Sequence, residues 1–374
     1  RHQEFLFVGS ERANIVAGYK TDAWHKPELH QLLPTTIGPE GILAIPSRNL
    51  LVVSSEEDSA EDGFRSTVSL YQYGARQAPY PQIQSDPKQL IPWGALSGMA
   101  GDRQQADTMY AVPDSYYGES RIFRAQVSKQ GTAVIKDALV LNKNGATVDY
   151  DLEGIAQRTD GSFWLVSEGN SGSRPNLLIK AGADGSILEE ISLPAAVVAK
   201  QKSNGFEGVA VTGNGARETV YVAFQREWTD DPAGQVRIGV YRPASGDWSF
   251  FYYPLESTST GWIGLSEITA IDDTTFVVIE RDNQQGPAAR VKRLYRFSIA
   301  GMTPAAEGET FPVLSKTLVR DLLPDMNATH GWTADKVEGT AITRDGEVYV
   351  VTDNDGVDDA SGETRFMALG KLFR

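Results

Sequence analysis

Apolar and β-branched residues come in short runs along this chain, separated by Gly, Asp and Asn, which is the pattern of short strands joined by tight turns. The stretch 153–193 shows it best. It predicts strands over 153–157, 163–166, 177–181 and 187–193, turns at Thr159-Asp160-Gly161-Ser162 and Asp184-Gly185, and a loop over 167–173. Near the C-terminus Arg344-Asp345-Gly346-Glu347 predicts the same first turn, with 348–351 returning. A helical period is nearly absent; 195–202 is the best candidate, as a short insertion.

The strand pattern recurs at long range. A Glu-Gly pair followed by apolar residues stands at Glu40-Gly41-Ile42, Glu153-Gly154-Ile155, Glu207-Gly208-Val209 and Glu338-Gly339-Thr340. Two degenerate copies fill the gaps, Ser97-Gly98-Met99 and Glu267-Ile268-Thr269. Anchored at positions 40, 97, 153, 207, 267 and 338, the units are too long for a helical solenoid and suit four antiparallel strands arranged radially. The expectation is an all-β, single-domain β-propeller over residues 1–374, with six blades of four strands. Residues 1–37 supply three further strands (5–8, 14–19 and 28–33), which either close the ring together with the C-terminal strands or form part of a seventh blade or of a preceding domain.

In this arrangement the Glu-Gly pair opens the innermost strand and the next strand returns beside it, so acids about fifteen residues later belong at the same channel mouth. These are Glu56, Glu57 and Asp58; Asp114; Glu168; Glu280 and Asp282; and Asp353 and Asp355. Only the fourth unit departs, with Gln225-Arg226-Glu227. Arginines recur near the third strand: Arg65, Arg121, Arg174, Arg237, Arg290 and Arg365. They read either as latches for the acids of their own blades or as a cationic rim. Like charges crowded into a channel raise one another's pKa unless a cation is present, and oxygen donors suit Ca²⁺, or alternatively Mg²⁺. Glu40, Glu153, Glu207, Glu267, Glu338, Asp353 and Asp355 are the candidate ligands. The run Asp353-Asn354-Asp355-Gly356-Val357-Asp358-Asp359 reads as a calcium loop of irregular spacing or as a solvated acidic hairpin.

Composition narrows the chemistry. With 374 residues, 41% hydrophobic, the chain can bury a sizeable core. The formal charge of −14 opposes phosphate backbones, so a nucleic acid is not expected as partner. There is no cysteine and there are four histidines, three of them within the first thirty residues, which disfavours thiolate chemistry and a multi-histidine metal centre. No apolar run is long enough to span a membrane. The opening Arg-His-Gln suggests a piece of a longer product. Ser171, between Gly169 and Gly172, lies on a strand-to-strand loop with no histidine near it in sequence, and only His330 could approach the blade mouths, so a serine triad is not expected. Trp262 and Trp332 fall just before anchors and could wall a pocket or pack in the core.

As a set, Asp151-Leu152-Glu153-Gly154-Ile155-Ala156, Ser167-Glu168-Gly169-Asn170, Phe206-Glu207-Gly208-Val209-Ala210, Gly264-Leu265-Ser266-Glu267-Ile268, Glu280-Arg281-Asp282-Asn283, Lys336-Val337-Glu338-Gly339 and Val351-Thr352-Asp353-Asn354-Asp355-Gly356 resemble the bacterial phytase-like family described as carrying an esterase-like activity of phytase. The likeness runs from about residue 90 to the C-terminus. Residues 1–75 resemble a propeller segment that precedes this domain in longer exported proteins. The resemblance implies a propeller, an acidic site, a small anionic phosphoester substrate and a periplasmic or extracellular bacterial location.

The resulting expectation is a metal-dependent phosphoester hydrolase, with Glu168 or Glu280 as general base and Arg121, Arg174, Arg237 and Arg290 orienting the anion. The alternatives are a non-catalytic, calcium-stabilised binding or scaffold module of the envelope, and a carboxylic-ester hydrolase of the lactonase type, whose six-bladed propellers share a Glu-Gly opening and a central calcium.

Overall fold

The computed structural model describes all residues except 1–3, 22–25, 61–62, 75–79, 81, 170–173, 203–204, 358–361 and 374. Strands dominate it. The chain opens with two three-stranded antiparallel sheets, β1 (Glu4–Ser10), β2 (Ile15–Thr21) and β3 (Pro27–Pro34), then β4 (Pro39–Ile45), β5 (Leu50–Ser55) and β6 (Thr67–Gln72).

The short β7 (Ile83–Ser85) adds in parallel to the outer edge of a sheet made by β8 (Leu96–Gly101), β9 (Thr108–Pro113), β10 (Arg121–Val127) and β11 (Ala133–Val140). A small ribbon, β12 (Asn142–Lys143) and β13 (Ala146–Thr147), leads to a four-stranded meander, β14 (Leu152–Gln157), β15 (Phe163–Ser167), β16 (Leu177–Ala181) and β17 (Ile187–Ser192). Two more follow: β18 (Phe206–Thr212), β19 (Thr219–Phe224), β20 (Gln235–Arg242) and β21 (Asp247–Pro254), then β22 (Ile263–Ala270), β23 (Thr275–Asp282), β24 (Lys292–Ser298) and β25 (Lys316–Asp321). The last sheet has three strands, β26 (Val337–Ile342), β27 (Glu347–Thr352) and β28 (Phe366–Lys371). The helix expected at 195–202 is one turn, α1 (Ala195–Val198), and a second single turn is α2 (Leu323–Asn327).

The architecture is all-β and propeller-like. The first strands of five sheets stand side by side, β8 against β14, β14 against β18, β18 against β22, β22 against β26, and β26 back against β8. The cores lie between adjacent sheets: Trp164, Phe206, Phe224, Trp228, Trp248 and Phe250 fill one gap, and Phe251, Tyr253, Phe276 and Phe297 the next.

Two expectations are corrected here. The sheet of β26–β28 takes no strand from residues 1–37, because β1 to β3 pair only with one another; the expected closure by strands from both ends does not occur among the described residues. The sheet carrying Glu40 is also outside the ring: β4 lies against β1, and of its residues only Pro39 is buried. The two N-terminal sheets form a small unit around Val16, Leu51 and Val53. It touches the ring's rim, where Phe64 meets the Trp332 ring edge-on at 4.8 Å and the backbone N–H of Trp332 donates to the Thr35 carbonyl.

Candidate metal centre

Every inner strand of the ring begins with a β-bulge. Pairing between the first and second strands skips one residue between Leu96 and Gly98, Leu152 and Gly154, Phe206 and Gly208, Leu265 and Glu267, and Val337 and Gly339. The extra residues are therefore Ser97, Glu153, Glu207, Ser266 and Glu338. A bulge turns its extra side chain away from the strand's ordinary alternation. Glu153, Glu207 and Glu338 all line one cavity of about 250 Å³.

The glycine after each bulge is required by the closeness of the strands. A Cβ on Gly98 would lie 2.7 Å from the Gly154 Cα, and one on Gly154 2.8 Å from the Gly208 Cα, nearer than side chains approach backbone.

This register moves the blade of β22–β25 by one residue. The repeat spacing places Glu267 in the glutamate column, but the bulge residue is Ser266, and Glu267 takes the glycine's place. Its side chain turns inward, 1% exposed, accepting from the N–H groups of Ile268 at 2.9 Å and Met99 at 3.4 Å. Burial raises its pKa well above the usual range, against the pull of these N–H groups and those of Thr340 and Val209.

The same shift relocates the returning strand. The residues one past the partners of Leu96, Leu152, Phe206, Leu265 and Val337, the positions before each bulge, are Asp114, Glu168, Gln225, Arg281 and Asp353, and all five line the cavity. Glu280, expected there, is one position earlier and fully buried elsewhere in its sheet, where it accepts from Tyr253 Oη at 2.9 Å and Lys316 Nζ at 2.7 Å. Arg281 is the residue that the sequence reading missed. Aligning Ser266 with Ser97, serine on serine, would have found it.

The cavity's remaining walls are Trp262, Asn283, Asp335 and Lys336, so seven carboxylates face two cations. Arg281 donates to Glu338 at 2.6 Å and to Ser266 Oγ at 2.8 Å, and its guanidinium lies 5.3 Å from the Trp262 ring centre. Lys336 pairs with Asp355 and, at 3.6 Å, with Asp353. Gln225 donates to Glu207 at 2.6 Å, and the Gly205 N–H to Glu168 at 2.8 Å.

These partners do not discharge the cluster. Burial and then the charges of Glu207 and Glu338 raise Glu153 well above the usual carboxylate range; burial and then Glu168 and Glu338 do the same to Glu207. Burial and then Glu338 raise Asp353. Burial takes Glu168 to about 7, aided by Asp151 and Glu338 against the Gly205 N–H, and takes Asp114 to about 6.

Two sets bring one oxygen each within 4.8 Å of the others: Asp151, Glu153 and Glu168, and Asp114, Asp353 and Asp355. The donors are all oxygen, carboxylate-rich and irregular in arrangement, so they fit a hard divalent cation of the Ca²⁺ kind. Asp151, missed as a ligand, is the residue before the repeat's Leu-Glu-Gly. Of the expected ligands, Glu153, Glu207, Glu338, Asp353 and Asp355 come together here, Glu267 sits deeper on the axis, and Glu40 is exposed in the N-terminal unit. Part of the proposed calcium loop, 358–359, lies outside the described residues, as does Ser171.

The arginines act mostly as latches. Arg237 is buried against Asp230, Asp231 and Glu307 at 2.8, 2.8 and 3.2 Å. Arg121 pairs with Glu119 at 2.8 Å, and Arg290 is exposed and donates to the carbonyls of Pro287 and Ala289. None of these three lines the cavity. Arg174 alone of the four stands beside it, 3.0 Å from Asp151.

Structures of other proteins align over most of the chain at low identity. One from Lactobacillus plantarum shares 13% identity over 94% of this chain and 90% of its own, with a TM-score of 0.37. The periplasmic gluconolactonase PpgL of Pseudomonas aeruginosa shares 12% over 99% and 96%, with a TM-score of 0.34. Likenesses this loose carry no function across. No curated protein matches the sequence. A family model does: residues 91–356, from just before β8 to the acidic loop that precedes β28, match the model described as phytase-like, esterase-like activity of phytase, and the chain belongs to that family.

Proposed function

We propose that the chain is a divalent-cation-dependent hydrolase of phosphate esters, acting at the acidic mouth of a five-bladed ring. The observation that carries this reading is the convergence of seven carboxylates on one cavity with two cations to offset them. Asp151, Glu153 and Glu168 would hold one ion and Asp114, Asp353 and Asp355 a second, with Glu207 and Glu338 adding negative charge behind. Bound there, such a cation polarises a phosphoryl oxygen and lowers the pKa of its water. Arg281 and Lys336 supply the positive charge for an anionic group, Arg281 held beside Trp262 and Lys336 by Asp353 and Asp355. The Glu168 oxygen not given to the ion would accept the proton of the attacking water. The family resemblance supports an exported location.

The test is turnover across a panel of phosphomonoesters and phosphodiesters with Ca²⁺, with Mg²⁺ and after chelation. We expect activity that chelation abolishes and that Glu207→Gln removes with the fold intact. No turnover on any member of the panel sinks the reading.

One observation favours the non-catalytic alternative, a calcium-stabilised module. A cavity of about 250 Å³ is below the roughly 300–1,000 Å³ usual for small-molecule sites and suits ions and waters. Calcium that raises the melting temperature without any turnover decides for it.

A further inference from the structure

We infer that Glu267 is a positioning residue of the metal centre, a buried carboxyl on the axis that holds four of the five bulges in register. The inference rests on the metal-binding reading of the mouth and adds a residue that touches neither cation nor substrate.

Three features of the ring point to this role. Gly98, Gly154, Gly208 and Gly339 occupy one column around the axis, and a Cβ at any of them would strike a neighbour: at Gly208, for instance, the Ile268 N at 2.5 Å and Glu267 Oε1 at 2.6 Å. The axis at this level has room for one side chain, and the fifth position in the column, Glu267, fills it. Its carboxyl then accepts from the backbone N–H groups of Ile268 and Met99, on two blades, and feels the pull of those of Val209 and Thr340 on two more.

Each of those donors lies two residues after a bulge residue, namely Ser97, Glu207, Ser266 and Glu338. The carboxylate therefore ties the strands together one peptide below the side chains that form the mouth. A buried carboxyl held by backbone donors is restrained, because turning it away orphans the N–H groups that it satisfies. Met99 and Val209 belong to the wall of the second cavity, about 600 Å³ at the opposite end, so Glu267 also seals the channel between the two.

A residue that orients ligands without touching the metal acts on affinity, and losing such a partner typically costs about 10- to 100-fold. The experiment is calorimetric titration of Ca²⁺ alone into the full chain and into E267Q and E267G, with circular dichroism as the check on fold. E267Q keeps the volume and one acceptor oxygen but turns an amide NH₂ toward N–H donors; E267G restores the column's glycine and leaves the donors open. We expect roughly 10-fold weaker Ca²⁺ binding in E267Q, a larger loss in E267G, and recovery of E267G by sodium formate beyond what sodium chloride gives at equal ionic strength. Variants that bind Ca²⁺ within about twofold of the wild type, whatever their melting temperature, overturn the inference and leave the metal centre standing. Absence of Ca²⁺ binding in the wild type overturns the metal reading and the inference together. E267Q decides the matter where E267G does not fold.

Discussion

The same sequence motif occurs in two settings in this molecule. Pro39-Glu40-Gly41 and Leu152-Glu153-Gly154 both open a strand, both make a bulge, and both put the glutamate out of register with its partner strand. Glu153 is nonetheless part of a crowded acid cluster, whereas Glu40 is exposed. A Cβ on Gly154 would meet the backbone of the next inner strand at 2.8 Å; one on Gly41 would meet only the Ser54 hydroxyl, at 2.4 Å. The bulge is local, and Glu40 too has an acid beside it, Glu56, but only the ring buries the cluster.

Substitutions at matched positions test that contrast, and the largest effect is expected at the arginines. Arg237→Ala strands the fully buried Asp231 and should cost about 3–5 kcal/mol in urea unfolding. Arg65→Ala, where the side chain is 82% exposed beside Asp58, should leave the transition where it is. Equal losses at the two sites would show that the N-terminal sheets are as tightly integrated as the ring.

The glycines come next. Gly154→Ala should destabilise by about 3 kcal/mol through backbone overlap, and Gly41→Ala by about 1 kcal/mol, since a hydroxyl can rotate away. Matching midpoints in denaturant would remove the steric argument for the glycine column.

The acids differ in sign as well as size. In metal-free protein at pH 8, Glu207→Gln should stabilise by on the order of 1 kcal/mol by removing one of several repelling charges, and should erase the rise in melting temperature that Ca²⁺ gives the wild type. Glu40→Gln should do neither. Persistence of the Ca²⁺ effect in Glu207→Gln would put the ion elsewhere.

The smallest effect is the pH profile. Glu168 and Asp114 have raised pKa values, near 7 and 6, so the folded state holds their protons more tightly than the unfolded chain does. Their contribution is complete below about pH 4 and declines as pH rises through 6 and 7. Melting temperatures of the metal-free protein should fall over that interval and flatten when Ca²⁺ is added; a flat profile without metal would mean the cluster is already neutralised.

Much of the site was legible because a repeat exposes equivalent positions. Glu153, Glu207 and Glu338, with Glu168, Asp114 and Asp353 opposite, follow from spacing and strand pairing. Two of the failures have one cause, an offset of a single residue in the blade of β22–β25. It moved Glu267 from mouth to axis and hid Arg281 behind Glu280, because a strand's side chains alternate in direction and a slip of one reverses every assignment. Arg237 was misjudged for a different reason: arginine recurs near the third strand in each unit, but whether it meets solvent or three acids depends on loops of unrelated sequence.

The sequence by itself determined the strand-and-turn alphabet, the acidic repeat and the glycines that permit close packing, since these depend on backbone conformation and on residues near one another in the chain. The tertiary structure alone decided which copies of the motif join the ring, which glutamate occupies its axis and which carboxylates repel one another. Those outcomes depend on distances between strands fifty or more residues apart, and burial, which sets the charge of every acid in the mouth, exists only once the strands have met.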